Sequence, residues 1–330
     1  MTTPSSRPRQ RGAALLIAMI IVTIVATLAT GMVWQQWHSV EVEAAERERS
    51  QAHWILSGAL DWARLILRED ARDNSRNGNS DNLGEPWAVP LAEARLSTFL
   101  AADRDNTDDA PDAFLSGTIT DAQSRYNLAN LVVDGKIVPE QKAILQRLCD
   151  IVGVVPTVAD QLGDALKLAS GQGSSGDTGS AASIDSTIDP PVAPVSEDDL
   201  AWLGVDPVAL EKLRPFVTLL PKITKVNLNT APKEVIAAVV KGSDLTTAER
   251  IVRLRERTPL KKIEDAIAVF GNGLTFADLD PSATVYSDFF EVYGALRLEN
   301  RLFEERSLVQ RLPNLQVVPV RRERVHVPHA

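Results

Sequence analysis

Ala13-Ala14-Leu15-Leu16-Ile17-Ala18-Met19-Ile20-Ile21-Val22-Thr23-Ile24-Val25-Ala26-Thr27-Leu28-Ala29-Thr30-Gly31-Met32-Val33 runs for twenty-one positions without an ionisable side chain. It follows directly on the basic stretch Arg7-Pro8-Arg9-Gln10-Arg11-Gly12. As a helix, roughly twenty apolar residues reach about 30 Å, the thickness of a bilayer's hydrocarbon core. Three readings follow. The segment is a retained membrane anchor; or it is a secretory signal, cut near Ala29-Thr30-Gly31; or it is processed on its basic side, after Gly12, leaving a chain that starts with the apolar helix. An ordinary signal has a shorter apolar region of about 7–15 residues, which disfavours the second reading. The arginines before the segment predict that the leader stays in the cytoplasm and that residues 34–330 are exported. Trp34 and Trp37 lie just past the apolar run, where amphipathic rings favour the membrane interface.

Between Ala13 and Asp70 no proline appears, and the only glycines are Gly31 and Gly58. The helix therefore continues, and the predicted element is 13–70. Ala52, Ile55, Leu56, Ala59, Leu60, Ala63, Ile66 and Leu67 recur at three- and four-residue steps, the mark of one buried face. Between the two apolar portions, Glu41 to Arg49 is charged, with Glu43 and Arg47 at the favourable four-residue spacing. Thr23, Thr27 and Thr30 share a face with Gly31, which marks either close helix packing or hydroxyls bonded back to their own helix; the second is the commoner use.

The rest of the chain carries fewer local signals. Hydrophobic residues make up 44% of it, enough for packed domains. Its formal net charge of −9 becomes −12 once the three leader arginines are removed, which argues against a nucleic-acid partner. Cys149 is the only cysteine, so an intrachain disulfide is excluded. A Gly/Ser-rich stretch, 170–186, passes into Asp189-Pro190-Pro191-Val192-Ala193-Pro194 and reads as a flexible loop over 170–199. Phe114 to Thr120 and, more clearly, Ser287 to Glu299 read as strands, the second turning at Glu299-Asn300-Arg301 into a partner through Val309. Leu91 to Leu100 reads as a short helix, and the polar stretch 72–84 as a loop.

Between the strand regions the pattern is helical and carries an internal echo. Asn127-Leu128-Ala129-Asn130 is followed about a hundred residues later by Asn227-Leu228-Asn229-Thr230. In the second copy Asn229 or Thr230 is placed to cap a helix starting near Pro232 and ending near Gly242, with the next helix over Leu245–Arg257. This portion, with Arg253-Leu254-Arg255 and Ile263-Glu264-Asp265-Ala266, resembles the helix-hairpin-helix domain of competence proteins, which bind DNA. That gives one alternative, a membrane-anchored DNA receptor. The turn argues against it, since Val240-Lys241-Gly242-Ser243-Asp244-Leu245 has one glycine and places an aspartate where a phosphate would lie. The basic cluster Arg250, Arg253, Arg255, Arg257, Lys261 and Lys262 is interleaved with Glu249, Glu256, Glu264 and Asp265, as on a solvated helix face.

Catalysis finds no motif. His38, His53, His326 and His329 lack zinc-ligand spacing, and neither a nucleophile elbow nor a phosphate-cradling loop occurs. Asp103, Asp105, Asp108, Asp109 and Asp112 crowd one short stretch of the oxygen-rich sort that calcium accepts, though without EF-hand spacing; a solvated acidic loop is the plainer reading. Asp185, Asp189, Glu197, Asp198 and Asp199 form a second such group.

The leader ending in Gly12, the apolar segment from Ala13 and the long helix together resemble the type IV pilin class. In that class a prepilin peptidase cuts after the glycine and methylates the new amino terminus, here Ala13. Most members carry glutamate at the fifth mature position, and here that position is Ile17. This departure resembles the K-type minor pseudopilins of type II secretion systems, the general secretion pathway protein K family. Four further stretches match in order: Glu85-Pro86-Trp87, Asp121 to Leu128, Val226 to Pro232, and Ser287 to Val292. The resemblance implies an α+β fold with a pilin-like long helix on a small antiparallel sheet and a large inserted helical domain of SAM/helix-hairpin-helix-like type. It divides the chain into a leader over 1–12, a membrane part over 13–33, a pilin-like domain over 34–124 and 280–330, and an insertion over 125–279. It further implies a place at the pseudopilus tip and a role in starting or capping assembly. The implied partners are I- and J-type minor pseudopilins, H-type and major pseudopilins, prepilin peptidase and inner-membrane lipid, with calcium as cofactor. The globular part is then periplasmic and anchored in the inner membrane by a single span. A type IV pilus minor pilin is the neighbouring alternative.

Overall fold

The computed structural model describes residues 11–96, 113–170, 192–270, 281–299 and 301–325. Helix α1 spans Arg11–Asn77. The chain divides into two compact units, Met1–Ile55 and Leu56–Ala330. In the first, α1 is an uncovered helix whose described residues from Ala14 to Ala44 are all exposed. The threonine hydroxyls bond back to their own helix, Thr23 to the Ile20 carbonyl at 2.8 Å, Thr27 to Ile24 at 2.9 Å and Thr30 to Ala26 at 2.8 Å. Glu43 and Arg47 pair at 2.9 Å.

The second unit is built on a five-stranded antiparallel sheet. Its strands are β1 (Leu91–Arg95), β2 (Ala113–Asp121), β9 (Phe289–Leu298), β10 (Arg301–Arg311) and β11 (Val317–Val325), in that spatial order. The part of α1 from Leu56 onward lays Leu60, Ala63 and Leu67 on the sheet, against Trp87, Phe290, Val292, Val309 and Val317. Each large apolar side chain so buried contributes about 1.5–3 kcal/mol. The approach is close because Gly117 and Gly294 face each other across β2 and β9. A Cβ at Gly294 would lie 3.3 Å from Leu56 Cδ2, and one at Gly117 would lie 2.7 Å from the Tyr293 carbonyl oxygen.

The elements between β2 and β9 bury a separate apolar core. In chain order they are β3 (Tyr126–Asn127), β4 (Val132–Val133), β5 (Lys136–Ile137), α2 (Pro139–Val152), α3 (Thr157–Ala169), α4 (Pro207–Leu213), β6 (Val217–Thr218), β7 (Val226–Asn227), α5 (Lys233–Val239), α6 (Leu245–Arg257), α7 (Ile263–Phe270) and β8 (Ala283–Thr284). Leu145, Leu148, Leu162, Leu213, Leu228, Ile236 and Ile251 are fully buried at its centre. The two halves of the sequence echo are alike in structure. Asn127 and Asn227 each end a two-residue strand in a parallel pair, β3 with β6 and β7 with β8. Each turns its side-chain oxygen onto the amide two residues on, at 3.0 Å.

Several expectations need correction. Helix α1 does not stop at Asp70 but continues to Asn77, because residues 71–77 contain neither proline nor glycine. It ends where Gly78 takes φ +118° and the Gly78 and Asn79 amides both donate to the Asn74 carbonyl, a left-handed stop suited to glycine. Leu91–Arg95 is a strand, not the start of a helix: Leu-Ala-Glu-Ala-Arg favours helix locally, but pairing with β2 overrides that preference. The helix after Asn-Leu-Asn-Thr is preceded by Pro232 with no side-chain cap. Asn229 instead spans to Leu260, accepting from its amide at 2.9 Å and donating to its carbonyl at 2.8 Å. Strand β11 was not anticipated; Pro319 interrupts its pattern, which is tolerated because the strand is an edge with a bulge between Leu308 and Val309 opposite.

Candidate functional site

Two features stand out, the bare apolar helix and a buried polar joint. The helix is the one element among the described residues long and apolar enough to cross a membrane, and none of its apolar window is buried. Leu15, Leu16, Met19, Ile20 and Ile21 are more than half exposed, and Ile17 is 57% exposed. An uncovered apolar face of this length is long enough to cross a membrane. Gly12 and Ala13 lie in the first turn of α1, and the leader over 1–10 lies outside the described residues.

The joint lies where the end of α1, the five-stranded sheet and the inserted elements meet. The four short stretches singled out in the sequence converge there. Asp121, at the end of β2, is buried and its Oδ2 accepts from Thr230 Oγ1 at 2.6 Å, Ser287 Oγ at 2.6 Å and Asn227 Nδ2 at 2.9 Å. Its Oδ1 takes the Gln123 amide at 2.7 Å. Asn227, fully buried, also donates to the Asp81 carbonyl at 3.2 Å and to Ser287 Oγ at 3.0 Å. Gln123 spans the gap, donating to the Lys225 carbonyl and accepting from the Asp288 amide at 2.6 Å. Burial holds the Asp121 carboxyl up at about 6, against the pull of its hydroxyl donors from Ser287 and Thr230.

Beside this network Arg311, at the end of β10, is buried among acids. Its Nη2 reaches Asp81 Oδ2 at 2.5 Å and the Ser287 carbonyl at 2.6 Å, and its Nη1 reaches Asp70 Oδ2 at 3.1 Å. The guanidinium lies 5.1 Å from the centre of the Phe290 ring, which meets Trp87 edge-on at 5.2 Å. Trp87 donates to Glu85 Oε2 at 2.6 Å, and Glu85 also accepts from the Asn82 amide and side chain. Burial, with Glu85 and Asp81 as like-charged neighbours, pushes Asp70 up to about 7. No buried side-chain nitrogen or oxygen among the described residues lacks a hydrogen-bond partner. The joint can therefore hold three elements in one register. Cys149 is fully buried, and burial pushes its thiol up to about 11, away from reactivity.

Asp103, Asp105, Asp108, Asp109 and Asp112 lie outside the described residues, as do Asp185 and Asp189. Of the second acidic group, Glu197 accepts from Thr218 and faces Arg125 and Arg321, Asp198 pairs with Arg214, and Asp199 caps the Val195 and Ser196 amides. They serve different partners rather than one centre. Asp70, Asp81 and Glu85 do bring one oxygen each within 4.8 Å of one another. Calcium wants six to eight oxygens, and here Arg311 already supplies the positive charge while Trp87 and Asn82 occupy Glu85, so this set does not fit the ion.

The helical hairpin is likewise committed internally. Asp244 caps α6 through the Thr247 amide at 2.7 Å, placing a carboxylate at the helix start where a phosphate would need free amides. Arg250 donates to the Val269 carbonyl, Arg253 pairs with Glu249, and Arg255 donates to the Leu228 carbonyl, its pKa pushed down to about 10 by burial. Sequence reasoning missed Asp70, Asp81 and Arg311 of the joint. It found Asp121, Asn227 and Ser287 only as parts of quoted stretches, and Thr230 only as a candidate helix cap, whereas its hydroxyl binds Asp121.

Comparison with known proteins gives consistent matches. Two family models, both described as type II secretion system protein K, match residues 124–222 and 226–284. A type II secretion system protein K from Pseudomonas aeruginosa is 28% identical over 270 residues, 78% of this chain and 76% of that protein. Another from Klebsiella pneumoniae is 27% identical over 323 residues, 92% and 93% of the two. The crystal structure of the GspK-GspI-GspJ complex from the type 2 secretion system of enterotoxigenic Escherichia coli contains a chain that superposes with a TM-score of 0.62. The identity is 16%, covering 86% of this chain and 99% of that one, a likeness of fold.

Proposed function

Because this chain belongs to the protein K family of the type II secretion system, a minor component of the pseudopilus, we propose that it occupies the pseudopilus tip and starts or caps assembly. The observation that carries the reading is the pairing of a bare apolar helix with a sheet to which a large set of extra elements is keyed by a buried joint. Extra mass held rigidly on the globular part obstructs the docking of a further subunit above it. Ile17, in place of glutamate, removes the charge with which a pilin-class helix meets the neighbouring amino terminus, and a subunit that does not dock beneath another does not need it. Its mechanism is mechanical: the subunit waits in the membrane and leaves it when its helix joins others in a filament core.

The same reading assigns the remaining parts. Prepilin peptidase cleaves between Gly12 and Ala13 and methylates Ala13. The mature chain is anchored in the inner membrane by 13–33, with the globular part in the periplasm. The pilin-like domain is 34–124 with 280–330, and 125–279 is inserted into it; of the loop expected over 170–199, residues 171–191 lie outside the described residues. The partners are I- and J-type minor pseudopilins, supported by the complex in which the structural relative was solved, and beyond them the H-type and major pseudopilins. Calcium, which the resemblance implies, is assigned to the acidic cluster Asp103, Asp105, Asp108, Asp109 and Asp112; calorimetric titration of the full chain with calcium tests it, and an absence of binding removes it. The primary test is the mass and sequence of the mature amino terminus. A methylated Ala13 supports the reading, and a start near Met32 or an intact leader ends it.

A further inference from the structure

The joint contains more buried acid than its one buried base can neutralise. Asp70, on the last turns of α1, and Asp81, in the loop that follows, are each less than one-tenth exposed, and Glu85 is half-buried. One oxygen from each lies within 4.8 Å of the other two. The groups facing Asp70 are Asp81 and Glu85 from the loop, Arg311 from β10 and the neutral Asn74 amide from its own helix. Asp121 from β2 adds another carboxylate near Asp81, and Asp288, just before β9, stands at the exposed rim with Lys222 from the inserted elements. Arg311 is shared unequally: it meets Asp81 at 2.5 Å and Asp70 at 3.1 Å. Asp81 also takes the Ser287 amide at 2.7 Å and the Asn74 amide at 3.1 Å, so its charge is well met. Asp70 has only the longer arginine contact and a 3.3 Å bond from Asn74. Carboxylates this close in a desolvated site do not all ionise together, and the least supported one keeps its proton.

We propose that the joint is proton-linked: Asp70 carries a proton in the assembled joint, and acidification tightens the grip between the end of the long helix, the sheet and the inserted elements. The direction follows from linkage. Asp70 is held at about 7 in the folded chain against an ordinary 3.8, so the stability it contributes is complete below the ordinary value and is lost as pH rises through the folded one. Asp121, at about 6, acts in the same sense. The window runs from just above 7 down to the ordinary 3.8, so it opens in the near-neutral range, where an ordinary aspartate does not titrate.

The experiment uses the full chain in detergent micelles. Infrared spectroscopy should show a protonated carboxyl band at about pH 6 that fades by about pH 8 and is reduced in Asp70→Asn to the part that Asp121 carries; the thermal midpoint should rise by about 3–5 °C over the same acidification and by clearly less in that variant. A midpoint in the wild type that is flat or falls toward pH 6, a band titrating in the ordinary aspartate range, or an Asp70→Asn protein that keeps the wild-type pH response overturns the proposal. If Asp70→Asn does not fold, Glu85→Gln serves: removing a like charge should shift the band's titration to lower pH, and an unchanged titration overturns the proposal.

Discussion

Asn227→Ala removes the side chain that ties the inserted elements to the sheet. Asn227 is fully buried and makes four hydrogen bonds: to Asp121 Oδ2 at 2.9 Å, Ser287 Oγ at 3.0 Å, the Asp81 carbonyl at 3.2 Å, and from the Asn229 amide at 3.0 Å. A buried neutral bond contributes about 1 kcal/mol and one to a charged group about 1.5–3 kcal/mol, and the partners left behind cannot reach water. The expected loss is about 4 kcal/mol, a fall of roughly 8–16 °C in thermal midpoint for a unit of this size. Asn127→Ala is the internal control. Asn127 has the same local turn and also four bonds, but its partners, the Lys222 carbonyl, Thr224 Oγ1, and the Ala129 and Leu220 amides, are all neutral and all lie within the inserted elements. Its truncation should cost about 2–3 kcal/mol and leave exchange of the Ser287 amide slow, whereas Asn227→Ala should speed that exchange. Circular dichroism melting with hydrogen exchange on the full chain reads both. A loss below about 1 kcal/mol for Asn227→Ala, or equal Ser287 exchange in the two variants, would refute the claim that the joint is dry and bears the connection.

Gly117→Ala should destabilise by about 1–3 kcal/mol because the new methyl meets a strand carbonyl at 2.7 Å, whereas Gly294→Ala should cost less because Leu56 Cδ2, at 3.3 Å, ends a side chain that can turn aside; thermal melts rank the pair. Leu67→Ala, at a position with no exposure between helix and sheet, should cost about 2–5 kcal/mol by chemical denaturation, and a smaller loss would mean that the helix is loosely seated. Asp244→Ala should leave the fold intact and speed exchange of the Thr247 amide, and neither this variant nor the wild type should retain duplex DNA at moderate salt.

Local signals carried some elements into the structure nearly unchanged. The helix over Leu245–Arg257 has the predicted bounds, since an aspartate cap and an amphipathic run define both ends. The β9–β10 hairpin follows its alternation, turning at Glu299 with φ +52°. Leu91–Arg95 was misread because a strand that exists only through its neighbour leaves helix-forming residues to speak for themselves. The joint was the least visible part. Arg311 meets Asp70 across 241 positions and Ser287 meets Asp81 across 206, so no window of sequence contains the pattern. Asp121 falls just past the strand read over Phe114–Thr120, Asn227 opens the second half of the sequence echo, and Ser287 starts a strand. Only their meeting in space gives them a common role.

The central claim is that a single kind of subunit, carrying extra elements locked to a pilin-like sheet, ends the pseudopilus. The most direct measurement is to label a tag in the inserted portion of the full chain and image pseudopili sheared from cells that assemble them. The account predicts label at one end of each filament. Label distributed along the filament length would contradict it.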